Sequence, residues 1–264
     1  MDKVPIEHAF LDLSDYARPF ARWLAQRLPP FVTPIHLTLA FTGVGAIAAL
    51  LFAFNRFLPV AGLLLLLKSG LDAADGSLAR LRNRPSRVGR FLDSVCDFLV
   101  TLLVFGGIAL AEWRVHPSLA VWGLATLAAL SATWQCSVFS YYYVRYRAQT
   151  GGDLTSRARE TEEGFSYDNP RMLALLFTLY RLIYSWQDTL VAALDSRLAP
   201  NAPVTPRFLT ATTVLGLGTQ LLIIAICATL GQPFSAIYLF IFPFNIYWLA
   251  LLALRYVTRS STVR

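Results

Sequence analysis

Long apolar runs, separated by short polar breaks, make up most of this 264-residue chain. A helix needs about 20 apolar residues to cross the hydrocarbon core of a bilayer. Only helices and closed barrels satisfy their backbone groups inside lipid. We therefore predict an all-α integral membrane protein with six transmembrane helices, at residues 35–54, 58–81, 90–111, 118–142, 208–230 and 234–256.

Composition supports this class, because 56% of the residues are hydrophobic and only 15% are charged. The net charge of +7 lies in alternate loops, while the opposite loops hold only Arg56 and Arg114. The basic residues are Lys3, Arg18, Arg22 and Arg27 before the first span, Arg80, Arg82, Arg84, Arg87 and Arg90 after the second, Arg145, Arg147, Arg157, Arg159, Arg171, Arg181, Arg197 and Arg207 after the fourth, and Arg255, Arg259 and Arg264 after the last. This asymmetry predicts cytoplasmic termini, and basic loops that face membrane lipids rather than nucleic acid.

The segments outside the spans differ in character. Residues 1–34 form a predicted cytoplasmic segment, and the apolar face within residues 7–28 predicts an amphipathic helix at the membrane surface. Residues 35–144 hold the first four spans, and residues 207–264 hold the last two with a C-terminal tail.

Residues 145–206 are the longest polar stretch, predicted as a cytoplasmic loop followed by an amphipathic helix at residues 170–198. A seventh span is the alternative, but the polar residues Arg181, Gln187, Asp188 and Asp195 favour an interfacial helix. The acidic residues Glu160, Glu162, Glu163 and Asp168 predict a solvated surface in the loop.

Four aspartates interrupt the second and third spans, where each carboxylate costs several kcal/mol. Asp72 and Asp75 lie three residues apart, and Asp93 and Asp97 lie four apart, so each pair shares a helix face. The loop between the two spans is short, so the pairs face each other near its end. Two carboxylates about 6 Å apart repel by roughly 3 kcal/mol at an effective dielectric of about 20. Such a cluster predicts a site for Mg²⁺ or Mn²⁺, which prefer oxygen ligands.

The residues beside these acids also suit a ligand site. Gly76 and Gly89 lack side chains and let a ligand approach the backbone. Ala79 keeps the face of the first acid pair narrow, and Arg80 adds a fixed cation. Lys68 lies one turn before Asp72 and is expected to neutralise it, with a direct contact to the ligand as the alternative.

Together these residues form the pattern Asp72-x-x-Asp75-Gly76-x-x-Ala79-Arg80-x8-Gly89-x-x-x-Asp93-x-x-x-Asp97. This pattern resembles the signature of the CDP-alcohol phosphotransferase family, with every fixed position filled. The resemblance implies a membrane enzyme that moves a substituted phosphate from a CDP-linked donor, such as CDP-diacylglycerol, to an alcohol hydroxyl. It would release CMP, serve phospholipid or related phosphodiester biosynthesis, and act as a homodimer at the cytoplasmic side.

The resemblance also implies a role for each matching residue. Asp72, Asp75 and Asp93 would bind metal, with two ions on the donor pyrophosphate. Asp97 would accept the proton of the acceptor hydroxyl and also touch a metal. The residues expected to line the nucleotide site are Gly76, Ala79, Arg80, Gly89 and Thr38.

The start of the first span departs from the family in one respect. Family members often open it with Thr-Pro-Asn-x-x-Thr, whereas this chain reads Thr33-Pro34-Ile35-His36-Leu37-Thr38. Thr38 therefore matches, and Ile35 replaces the asparagine.

Two further interpretations concern basic residues and transport. Arg145 and Arg147 lie just beyond the fourth span, where they suit either a phosphate on the acceptor or a purely topological role. A divalent-cation transporter or channel lined by the acids is the alternative function. The acids cluster at one end of their spans, and Arg80 would repel cations, so the enzyme is favoured.

Overall fold

The computed structural model describes residues 4–152, 160–200 and 202–262, whose regular secondary structure is helical, with no β-strand among them. The predictions for Lys3, Arg157, Arg159, Arg264 and the side chain of Arg259 lie outside the described parts. The helices are α1 (Arg18–Arg27), α2 (Pro34–Ala53), α3 (Leu58–Leu81), α4 (Arg87–Val115), α5 (Leu119–Gln149), α6 (Pro170–Tyr180), α7 (Trp186–Leu198), α8 (Pro206–Thr212), α9 (Leu217–Thr229), α10 (Ser235–Ile241) and α11 (Pro243–Thr262).

Four helical stretches among the described residues are long and apolar enough to cross a membrane. They are α2, α4, α5 and the stretch Ser235–Val257 formed by α10 and most of α11. The pair Pro206–Leu215 and Leu217–Thr229, bent by 43°, gives a fifth if it counts as one span. The predicted all-α, multi-span class is therefore confirmed. Helix α3 has 24 residues but carries Lys68, Asp72 and Asp75, which lower its apolar character.

Helices α2, α3 and α4 pack together as a unit that carries the acids. Thr33 caps α2 by accepting a hydrogen bond from the His36 N–H, and His36 completes a capping box. Short turns join the three helices, and α2 packs against both α3 and α4. Close backbone approach holds α2 on α4, since a Cβ added to Gly107 would lie 2.4 Å from the Ala49 carbonyl oxygen.

The prediction of one helix across residues 7–28 is wrong between residues 9 and 17, which are irregular. The Asp12 side chain accepts hydrogen bonds from the Ser14 N–H and hydroxyl at 3.0 and 2.7 Å, and such local bonds compete with helix formation. Ser14 packs against the break between α8 and α9, where a Cβ added to Gly218 would lie 1.8 Å from its carbonyl oxygen. Helix α1 therefore spans only Arg18–Arg27.

Helix α1 lies on α3 and buries one narrow face. Ala21 and Ala25 pack with Leu37, Ala74 and Leu78 in a small apolar cluster. The larger side chains Phe20 and Trp23 are exposed instead.

The predicted helix at residues 170–198 is present as α6, a π-helical turn at Arg181–Ser185, and α7. It packs against α4 through α6 and against α5 through α7. Fully buried Asp195 joins α7 to α5 and α11, because its carboxylate pairs with Arg145 and, at 3.0 Å, with Arg255. Helix α5 itself runs to Gln149, beyond the boundary predicted at residue 144.

The prediction that Glu160 and Asp168 lie on a solvated surface is wrong. Asp168 accepts hydrogen bonds from the Ser86 hydroxyl at 2.6 Å and from the Arg87 N–H at 3.0 Å. Glu160 pairs with Arg87 at 2.6 Å. These groups face the first turn of α4, where backbone N–H donors lack partners within the helix. The segment before α6 is thus packed over the start of α4.

The contact between α2 and α4 gives a stability prediction. Gly107→Ala should separate the two helices and destabilise the fold by about 1–3 kcal/mol, the usual cost of overpacking. The thermal unfolding midpoint in detergent measures this. Gly106→Ala is the matched control, since its Cβ meets nothing within 4 Å and it should keep or raise the midpoint. Equal midpoints for the two variants would contradict this account of the packing.

Candidate metal centre and active site

Helices α3 and α4 bring three of the predicted aspartates together. Asp72, Asp75 and Asp93 each offer a carboxylate oxygen, and these oxygens all lie within 4.8 Å of one another. The turn between the helices includes Asn83 with a φ of 53°, and Ser86 caps α4 by accepting from the Gly89 N–H at 3.0 Å. A sharp turn followed by an immediate helix start places the two acid pairs opposite each other.

Asp97 lies one turn beyond Asp93 and has a different partner. Its Oδ1 contacts the ammonium of Lys68, which is also 2.7 Å from Asp72 Oδ2. Lys68 is 1% exposed and lies 4.4 Å from the centre of the Phe41 ring. The predicted neutralisation of Asp72 by Lys68 is therefore present, but the same cation also pairs with Asp97. The structure does not place Asp97 in the group of three acids.

The three acids fit a divalent cation. Asp93 Oδ1 is buried and accepts no hydrogen bond from any described residue. A buried carboxylate oxygen without a partner is costly, and a bound cation would satisfy it. The donor set consists of carboxylate oxygens, which suit Mg²⁺ or Mn²⁺.

Thr38 contacts one of the three candidate metal ligands and is not itself in that group. Its hydroxyl donates to Asp75 Oδ2 at 2.8 Å, and both side chains are buried. The hydrogen bond fixes the orientation of the carboxylate. The role predicted for Thr38 at the nucleotide is thus accompanied by a contact with the candidate metal ligand.

The other predicted nucleotide residues, on the same two helices, are half-buried. A Cβ added to Gly89 would meet only Ser86, at 3.6 Å, and one added to Gly76 would meet the end of the Arg80 side chain at 3.3 Å. The Arg80 guanidinium lies 3.4 Å from the Ser77 hydroxyl. Ala79 is half-buried on α3. These positions leave backbone accessible beside the acids, as a nucleotide site requires.

A cavity of about 540 Å³ opens beside the acids and is lined by Asp72, Asp93, Asp97 and Arg80, among others. Part of its wall comes from residues 170–198, through Tyr180, Tyr184 and Asp188. Tyr180 donates to Asp188 at 2.8 Å, and Tyr184 donates to the Ser94 carbonyl at 3.2 Å. Burial raises the pKa of Asp188 above its ordinary value, and the Tyr180 hydrogen bond opposes that shift.

The sequence does not predict that residues 170–198 line the cavity. The two tyrosines repeat at i and i+4 within an apolar pattern, which indicates only a buried face. The π-helical turn that follows Tyr180 and includes Tyr184 is the kind of irregularity that often marks functional sites.

The two arginines predicted to contact the acceptor lie elsewhere. Arg145 pairs with Asp195 and donates to the Ala202 carbonyl at 3.0 Å. Arg147 is buried, with its guanidinium 4.9 Å from the centre of the Tyr143 ring. Neither is among the described residues that line the cavity. The acceptor role of both arginines stays a prediction.

Comparison with known proteins finds relatives that match part of the chain. The bifunctional IPC transferase and DIPP synthase of Archaeoglobus fulgidus is 33% identical over 128 residues, which are 48% of this chain and 24% of that protein. The archaetidylinositol phosphate synthase of Pyrococcus horikoshii is 31% identical over 136 residues, or 50% of this chain and 64% of that protein. The chain thus spans less than two thirds of the length of these curated relatives.

A solved structure also aligns with the chain. It is the crystal structure of Mycobacterium tuberculosis phosphatidylinositol phosphate synthase with CDP-DAG bound. The alignment covers 84% of this chain and 94% of that chain, with 21% identity and a TM-score of 0.35.

The family assignment rests on a separate and longer match. The sequence model of the CDP-alcohol phosphatidyltransferase family matches residues 29–258. That range begins just before α2 and ends within α11, so it includes both helices that carry the aspartates. The chain therefore belongs to the CDP-alcohol phosphatidyltransferase family.

Proposed function

We propose that this protein transfers a substituted phosphate group from a CDP-linked alcohol, such as CDP-diacylglycerol, to the hydroxyl of a second alcohol and releases CMP. The observation that carries the proposal is the group of three carboxylates within the family's motif, of which Asp72 and Asp93 line the same cavity as Asp97. Two similar proteins are named as archaetidylinositol phosphate synthase and IPC transferase, which supports a product among phospholipids or related phosphodiesters.

Asp72, Asp75 and Asp93 would hold Mg²⁺ or Mn²⁺ in this scheme. Their oxygens, together with phosphate oxygens of the donor, suit the two ions predicted from the motif. When bound, the metal would neutralise charge on the pyrophosphate and on the departing CMP. Thr38 keeps the Asp75 carboxylate oriented toward its partners.

The nucleotide would lie along the open edge of α3 and α4. Gly76, Ala79 and Gly89 leave the backbone accessible there, and Arg80 adds positive charge beside the phosphates. The donor is thereby held with its reacting phosphorus next to the cavity. Positioning of this kind supplies much of the rate enhancement in phosphoryl transfer.

Asp97 would act on the acceptor alcohol, which is a poor nucleophile at neutral pH. Its carboxylate lines the cavity and would accept the hydroxyl proton. The acceptor oxygen then bonds to phosphorus, and the bond from phosphorus to the CMP oxygen breaks. A positioned base of this kind contributes about 10²–10⁴-fold in rate.

We also propose the membrane arrangement that serves this reaction. Helix α3 would cross with its neighbours, which together with the bent pair α8–α9 gives six spans. The basic turn between α3 and α4 supports a cytoplasmic active site and cytoplasmic termini. Helix α1 and residues 170–198 would lie at that interface, and the enzyme would act as a homodimer.

A divalent-cation transporter fits the structure less well. The acids lie near the turn that joins α3 and α4, and Lys68 lies one turn farther from that turn than Asp72. A buried ammonium at this depth would oppose the passage of cations toward the other side.

The activity itself is directly testable. Purified protein in lipid vesicles should release CMP from CDP-diacylglycerol when Mg²⁺ and an alcohol acceptor are present. Removal of divalent metal with EDTA should abolish release, and added Mn²⁺ should restore it. A panel of acceptors, including glycerol phosphate, inositol phosphate, serine, choline and ethanolamine, identifies the second substrate. Mn²⁺ flux into vesicles without CMP release from any CDP-alcohol would instead support transport.

The different roles proposed for Asp97, as the base, and Asp93, as a metal ligand, give a second prediction. Asp97→Asn should keep binding of the CDP-linked donor and lose about 10²–10⁴-fold in kcat, because only the base is removed. Asp93→Asn should weaken Mn²⁺ binding, measured by electron paramagnetic resonance, because a candidate ligand loses its charge. Near-normal turnover in Asp97→Asn would reject its role as base.

The open edge at Gly89 gives a third prediction. Gly89→Ala should fold normally, because its Cβ meets only Ser86 at 3.6 Å. It should raise the KM for the donor about tenfold, because the methyl group occupies space predicted for the nucleotide. The control is Gly123→Ala in α5, where a Cβ meets nothing within 4 Å. Equal KM values in both variants would place the nucleotide elsewhere.

A further inference from the structure

We infer that residues 170–198 bind the acceptor alcohol through Tyr184 and Asp188, and that this acceptor is a small water-soluble alcohol rather than a lipid. The inference rests on the proposed function and deepens it, because it assigns the diacylglycerol group to the CDP-linked donor. The side chains concerned lie outside the aspartate motif, which ends at Asp97.

Tyr184 lies beside the proposed base. Its hydroxyl donates at 3.2 Å to the carbonyl oxygen of Ser94, which is less than one helical turn before Asp97. Its ring lies 6.3 Å from the ring of Phe98 in an edge-to-face contact. Burial, and then the nearby Asp97 carboxylate, raise the pKa of the Tyr184 phenol, which therefore stays protonated. Since Tyr184 and Asp97 line the same cavity, an alcohol that reaches Asp97 would also meet the Tyr184 side chain.

Asp188 lies four residues beyond Tyr184 and offers the cavity a carboxylate with a fixed orientation. The Tyr180 hydroxyl donates to Asp188 Oδ2 at 2.8 Å, and the Tyr180 ring packs 5.1 Å from the ring of Phe91. Among the described residues, the hydrogen bonds of the Asp188 carboxylate involve Oδ2 alone. Oδ1 can therefore accept a hydrogen bond from a second hydroxyl or amino group on the acceptor.

Helix α5 adds further polar groups to the same cavity. Ser137 and Ser140 both line it, and Ser137 is buried with a hydroxyl that forms no hydrogen bond to any described residue. A buried hydroxyl without a partner is costly, and a polar ligand would remove that cost. Acyl chains packed here would instead leave the polar groups of Ser137, Tyr184 and Asp188 without partners from the ligand. The cavity therefore favours an acceptor with several hydrogen-bonding groups.

The packing of residues 170–198 also limits access from the bilayer. Helix α6 packs against α4 and α7 packs against α5, while α4 and α5 contact each other. Phe91 of α4 is fully buried in contact with the rings of Phe177 and Tyr180. A diacylglycerol acceptor, whose acyl chains stay in the bilayer, would have to displace this helix to enter between α4 and α5. A water-soluble alcohol can reach the cavity from the aqueous side without that displacement.

The test compares two pairs of substrates in the CMP-release assay with Mg²⁺. The first pair is CDP-diacylglycerol with glycerol phosphate, inositol phosphate, serine, choline or ethanolamine, each supplied separately. The second is CDP-choline or CDP-ethanolamine with diacylglycerol in the vesicles. We expect CMP release from the first pair with at least one soluble alcohol, and none from the second. Release from the second pair would overturn the inference and leave the proposed function intact, whereas no release from either pair would reject the proposed function itself.

Variants of Asp188 test the assigned contact with the soluble acceptor that the first comparison identifies. Asp188→Ala should raise the KM for that acceptor about tenfold, because a hydrogen bond to a charged group is lost. The KM for CDP-diacylglycerol should stay within about twofold, because the donor does not contact this side chain. A purely structural role would not separate the two KM values in this way. An unchanged KM for the acceptor in folded Asp188→Ala would overturn the inference.

Two further variants complete the experiment. Thr189→Ala is the matched control, since Thr189 is the exposed neighbour of Asp188 and its hydroxyl donates to the Ser185 carbonyl of its own helix. It should leave both KM values unchanged. Should Asp188→Ala fail to fold, Asp188→Asn keeps the shape of the side chain and removes its charge. A rise in its KM for the acceptor alone would support the assigned contact, and equal KM values in Asp188→Asn and Thr189→Ala would contradict it.

Discussion

Repulsion among four carboxylates in apolar surroundings is the constraint on which the rest of this structure depends. Each acid is costly inside a membrane protein, and proximity raises the cost further. The protein offsets part of it with one buried ammonium, which pairs with Asp72 and Asp97. Asp93 Oδ1, buried without a hydrogen-bond donor among the described residues, shows where the protein alone leaves the charge unbalanced. In the proposed function, divalent cations bound together with the CDP-linked donor would complete the balance.

Close contacts between the surrounding helices hold the four carboxylates in position. Gly107 lets α2 approach α4 closely, and Thr38, also on α2, contacts the Asp75 carboxylate on α3. Ser86 begins α4 at the point that sets Asp93 opposite Asp72. The cavity is completed from outside this unit, by Tyr180 and its neighbours on the helix at residues 170–198. Acid placement and cavity shape are thus controlled by different parts of the chain.

Periodicity and charge predicted most of the helices and the convergence of the acids, because these depend on local spacing. The pairing of Lys68 with Asp97 joins residues 29 apart in sequence and depends on helix rotation, which spacing alone does not determine. The polar residues around Asp168 predict a solvated side chain, yet it binds the start of a helix 82 residues away. The irregular stretch before α1 combines the local hydrogen bonds between Asp12 and Ser14 with the fit of Ser14 against Gly218. Contacts distant in sequence therefore contribute to each of these differences.

The contact between Asp168 and the start of α4 affects the order in which the protein matures. Chains fold from the N-terminus as they leave the ribosome, so α3 and α4 emerge well before residue 168. Until then the Arg87 N–H and the Ser86 hydroxyl lack the carboxylate that binds them in the finished structure. The helix that carries Asp93 and Asp97 therefore acquires its final anchoring late, after more than half of the polypeptide has been synthesised.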